Sequence, residues 1–173
     1  MAKFNIKISG LEAIKKKLGK EGQKIVKQEV SDELMIAAND VRNKAVQRVL
    51  VNQGFLRNSI EVQGKDLVWI VQATADYAEY QEFGTKTMVN VPAEMKDAAM
   101  AVNSGKKSYQ SFKDAIAEWM RLKGIPEQAL YPIMAKIMEV GIRPRPFMYP
   151  SFKEGTQNLQ KDIDRIIQKY LDK

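Results

Sequence analysis

The feature that most constrains this chain is a long apolar stripe. Ile25, Val26, Val30, Leu34, Ala37, Ala38, Val41, Ala45 and Val49 keep three-and-four spacing for about seven turns. The spacing predicts one helix over about residues 23–50, preceded by Gly19 and Gly22. Its other side carries Lys24, Lys27, Asp32, Asn39, Asn43 and Arg48, so it covers a sheet or another helix with one face only. Such a spine needs partners to bury its stripe. The flanking sequence supplies them.

Phe4, Ile6 and Ile8 alternate with polar residues as in a half-buried edge strand, and Leu11 to Leu18 read as a short lysine-rich helix. After the long helix, Asn52-Gln53-Gly54 signals a turn, and Phe55 to Ser59 leads into a strand. The runs Ser59–Val62 and Leu67–Ala73 flank Gln63-Gly64-Lys65-Asp66 and predict a hairpin. Leu67, Trp69, Val71 and Ala73 alternate with Val68, Ile70 and Gln72, which makes the second strand apolar on both faces.

The segment Asp76 to Thr85, DYAEYQEFGT, follows directly. Tyr77, Tyr80 and Phe83 recur every third residue, and Asp76, Glu79 and Glu82 recur one position earlier, so a tight helical turn places an aromatic stripe beside an acidic one. Gly84 ends the segment, because glycine takes the cap conformation other side chains resist and lets a second backbone approach. The plain reading is a capped helix with core aromatics and solvated acids. The functional reading is a docking edge.

Composition narrows the chemistry. The chain has no cysteine and no histidine, which removes disulfides, thiolate and imidazole metal ligands, and the commonest general base. Asp76, Glu79 and Glu82 along one helical edge are too few ligands for an oxygen-bound cation, and no glycine-rich phosphate loop is present. No catalytic residue, metal or cofactor is therefore expected. At 173 residues and 45% hydrophobic, the chain has the size of one domain, 1–173. No apolar run is long enough to span a membrane, and the N-terminus lacks an apolar signal core. A formal charge of +7 implies an acidic partner, whether nucleic acid, a membrane surface or another protein.

In order along the chain stand Gly54, Leu56, Ser59 and Ile60; then Tyr77, Ala78, Glu82, Phe83, Gly84 and Thr85; then Pro146, Phe147 and Pro150. These three elements, G-x-L-x-x-S-I, Y-A-x-x-x-E-F-G-T and P-F-x-x-P, resemble those of the neck, or tail-completion, family of long-tailed bacteriophages. The resemblance covers roughly residues 20–85 and 142–173. It implies a small α+β virion protein without catalytic activity, forming a ring between the head-side connector and the tail tube. It also implies as partners other copies of the chain, six ahead of twelve, together with a connector or stopper and a tail terminator or tail-tube protein. Genome DNA in the channel is a further implied neighbour.

Residues 86–142 depart from the family pattern as a helical insertion. Pro92 opens a helix to about Val102, and Asn103 to Ser108 form a polar loop. Phe112, Ala115, Ile116, Trp119 and Leu122 share a second helical face that Gly124 ends. Glu127 to Gly141 is helical, with Pro132 as a kink or fresh start. Arg143-Pro144-Arg145-Pro146 is held extended by its alternate prolines. The last helix follows, with Leu159, Ile163, Ile166, Ile167, Tyr170 and Leu171 on one stripe.

The expected fold is α+β: a small, mainly antiparallel sheet packed against the long helix and the C-terminal helix, with the helical insertion. Candidate interface residues are Asp76, Tyr77, Glu79, Tyr80, Glu82, Phe83, Gly84, Thr85, Arg143 and Arg145; the remaining motif residues are structural. The alternative function is a basic DNA-binding protein, resting on Lys15 to Lys17, Lys106, Lys107, Arg143 and Arg145.

Overall fold

The structure, a computed structural model, describes residues 18–49, 54–84 and 109–172. The expected strand at Phe4–Ile8, the helix before Leu18, the segment 86–102, the loop Asn103–Ser108 and Thr85 lie outside the described residues. The described chain is mostly helical with one two-stranded antiparallel sheet, an α+β fold. It forms two compact units, Thr74–Pro146 and a second unit that includes the chain up to Ala73 and Phe147–Lys173.

In the second unit the apolar stripe forms helix α1, Lys20–Arg48. Val26, Val30, Ala37, Ala38, Val41 and Ala45 are buried, as is Val49 at its end, while Ile25 is half exposed. Gly54–Asn58, which the sequence showed only as a turn and lead-in to the strand, makes one helical turn, α2. Its reason is local: Leu56 is fully buried, and the Ser59 hydroxyl donates to the Leu56 carbonyl at 2.9 Å, closing the turn just before the strand starts at Ile60.

Strands β1, Ile60–Lys65, and β2, Val68–Ala73, pair in the register Ile60 with Ala73 and Lys65 with Val68. The hairpin loop is thus two residues, Asp66 and Leu67, rather than the expected four. Asp66 accepts a left-handed φ of 57°, as a short polar side chain can. Gly64 is consequently a strand residue opposite Trp69, and a Cβ there would meet the indole at 2.6 Å. The expected burial of both β2 faces is also corrected. Val68 and Ile70 share the outer face with Lys65, Gln63 and Glu61, and are 63% and 49% exposed.

The C-terminal segment folds back on α1. Helix α6 occupies Met148–Gly155, between the extended Arg143–Pro146 and the last helix. Pro150 is tolerated there because first-turn amides have no helical acceptor. A Cβ on Gly155 would meet Val41 Cγ2 at 2.6 Å, so α6 and α1 approach at a distance only glycine permits. Helix α7, Leu159–Leu171, then docks Leu159, Ile163 and Ile167 onto Val26, Val30 and Ala37, as its stripe predicts.

In the first unit, α3 is Ala78–Phe83. Helices α4, Tyr109–Leu122, and α5, Leu130–Val140, pack Ile116 and Met120 against Leu130 and Met134. A 3-10 turn at Glu127–Ala129 precedes α5, placing Pro132 in the first helical turn as the fresh start its ring favours.

Candidate subunit-docking site

Helix α3 ends with four carbonyls that have no helical donor, the general problem of a helix C-terminus. The Tyr80 carbonyl accepts from the Gly84 amide at 2.9 Å, and the Gln81 carbonyl accepts from the Arg145 amide at 2.8 Å. The extended Ile142–Pro146 strut therefore supplies a cap that the helix lacks. Gly84 makes the approach possible, with φ 68° and ψ −170°, a region open essentially to glycine. A Cβ there would stand 2.4 Å from the Ile142 carbonyl oxygen and 2.8 Å from Pro144 Cδ. The glycine of one sequence element is thus the seat for the strut that precedes another.

That seating orients the strut. Pro144 is half-buried toward Gly84, while Arg143 and Arg145 are exposed. Neither guanidinium forms a hydrogen bond or ion pair among the described residues. Pro144 and Pro146 each fix their own torsion and restrict the arginine before them, which limits how far that backbone can drift.

On α3 itself the expected docking edge is largely turned inward. Tyr77, Tyr80, Glu82 and Phe83 are 6–8% exposed, and Gly84 is buried. Tyr80 meets Phe112 edge to face, centroids 5.8 Å apart. The acidic stripe fails for a geometric reason. Three residues advance an α-helix by only about 300°, so a three-residue repeat drifts around the helix instead of lining one side. Asp76 is exposed, Glu79 half-buried, and Glu82 buried and engaged within the chain. Of the ten interface candidates, the structure leaves Asp76, Arg143 and Arg145 fully at the surface, with Glu79 partly so and Thr85 outside the described residues.

The motif residues Leu56, Ser59, Ile60 and Phe147 are all buried. Residues 12–84 match the HK97-gp10_like family, described as "Bacteriophage HK97-gp10, putative tail-component". No curated protein and no solved structure matches the chain. The matched segment ends at Gly84, the residue on which the strut is seated, and it takes in α1, the hairpin and α3. Among the described residues no cluster of acidic side chains could hold a metal ion, and no helix is long and apolar enough to cross a membrane.

A polar network that sequence reasoning missed ties α1 to the hairpin and to α6 within the second unit. Ser151, fully buried, donates to the Phe147 carbonyl at 2.6 Å and accepts from Arg48 Nη1 at 3.0 Å, and Arg48 also pairs with Glu154. Arg42 Nε donates to the Ile60 carbonyl at 3.0 Å. Arg42 and Arg48 of α1 thus brace the hairpin and α6. Only their spacing on a helix that also carries the apolar stripe hinted at this.

Proposed function

We propose that this chain is a ring subunit of a phage neck, joining the head-side connector or stopper to the tail terminator or tail tube. The observation that carries the reading is the tail-component match over residues 12–84, joined to the ordered recurrence of the three neck-type elements along the chain. The mechanism is docking, without a reaction step. Six copies suit a sixfold tail tube, with twelve as the other closed arrangement.

Charge distribution bears on the DNA-binding alternative. Of 28 lysines and arginines and 21 aspartates and glutamates in the chain, 18 of each lie in the described residues. The described surface is therefore balanced, whereas a nucleic-acid face concentrates positive charge. The excess of seven sits in residues 1–17, 85–108 and Lys173. Those are the residues through which any contact with genome DNA would gain from net charge.

Electron microscopy of particles assembled without this chain tests the joining role. The expected result is filled heads and completed tails that remain separate. Joined, infectious particles would contradict it.

A further inference from the structure

Helix α3 carries opposite charges at its two ends. Asp76 lies at the surface just before it, and the strut seated on its C-terminus holds Arg143 and Arg145. The helix is six residues long, so the two ends are on the order of 9 Å apart along its axis. Asp76, like the two arginines, forms no ion pair among the described residues.

The placement is rigid at the positive end. Arg143 and Arg145 are two residues apart on an extended backbone, roughly 6.6 Å from Cα to Cα. The Arg145 amide is bonded to Gln81, and Pro144 is wedged against Gly84. Two guanidiniums on an anchored backbone, without an ion pair among the described residues, suit carboxylates, which each can grip through two parallel hydrogen bonds. A polyanion suits them less, because the described residues of this unit carry six basic side chains against seven acidic ones.

A closed ring needs two different, complementary surfaces on every subunit. We infer that the strut arginines of one copy dock the Asp76 end of α3 in the next copy, so that the contact repeats head to tail. This contact rests on the ring reading above and specifies its chemistry. The occupant is a second copy of this chain.

The test uses three full-length proteins: wild type, the double variant Arg143→Glu/Arg145→Glu, and Asp76→Lys. Light scattering measures mass against concentration at low salt, and thermal melting checks that each is folded. Wild type is expected to assemble, and each variant alone to need about tenfold or more higher concentration, since like charges then face each other. Mixing the two variants in equal amounts restores assembly, because each reversed end then meets its opposite. Variants that assemble like wild type overturn the contact and leave the ring reading standing. A wild type that stays monomeric also overturns the contact, while particles lacking the chain judge the joining role separately. Reversals that spare assembly but abolish salt-sensitive retention of duplex DNA would make the strut a phosphate site instead.

Discussion

Phe147 shows how much one side chain can decide. Its ring is 2% exposed and its carbonyl receives the buried Ser151 hydroxyl, so Phe147→Ala should lower stability by about 3–5 kcal/mol in denaturant unfolding. A near-zero change would show that the ring fills no core. Glu82 was legible in the sequence as an acid of the motif, though not as a buried one. At 6% exposure and with an interaction inside the chain, Glu82→Lys should lower the melting temperature rather than yield a normal subunit that fails to dock. A folded monomer with unchanged melting would restore the docking edge. The two motif glycines should separate cleanly. Gly84→Ala meets both a positive φ and the Ile142 carbonyl and should cost roughly 1–3 kcal/mol or more, whereas Gly54 has open space and its change to alanine should be nearly neutral or better. Equal melting of the two variants would mean the strut is not seated on Gly84.

At the scale of elements, amphipathic period carried the prediction where a stripe is continuous. Helices α1, α4 and α7 appear where their apolar spacing puts them, because that spacing records the face each must bury. It failed for α2, α6 and the hairpin loop. Five- and eight-residue helices hold too few turns for a period to show, and Phe55 and Tyr149 beside glycine and proline read equally well as extended chain. What fixes those pieces is long-range: Arg48 reaches Ser151 across 103 positions, and no local pattern announces it. The packing of α7 on α1 also has a pH signature. The Tyr170 hydroxyl donates to Glu29 at 2.6 Å and Lys169 donates to the same carboxylate at 2.9 Å. The hydrogen bond to Glu29 is the chief cause that raises both groups above their ordinary values. A raised folded-state value means the contact contributes fully below the unfolded value and is lost as pH climbs through the folded one, so the window lies above about pH 10. Absorbance titration should show one of the six tyrosines ionising late, and Glu29→Gln should bring that step down. An unchanged titration would mean the bond does not persist in solution.

Across the whole molecule, the α+β class was legible in the sequence because it rests on apolar faces, and the motif glycines Gly54 and Gly84 fall inside the segment that matches a phage tail-component family. The plain reading of Tyr77, Tyr80 and Phe83 as core holds, since all three are buried; what the sequence left open is that Glu82 is buried with them while Asp76 and the strut arginines stay at the surface. The described residues carry balanced charge, and the chain's excess of seven positive charges lies outside them. The central claim is a place, the junction of head and tail. Gold labelling of this chain in intact particles, viewed by electron microscopy, measures that place directly. The account predicts label confined to the neck, between head and tail tube. Label along the tail shaft, at its distal tip, or absent from the particle would contradict it.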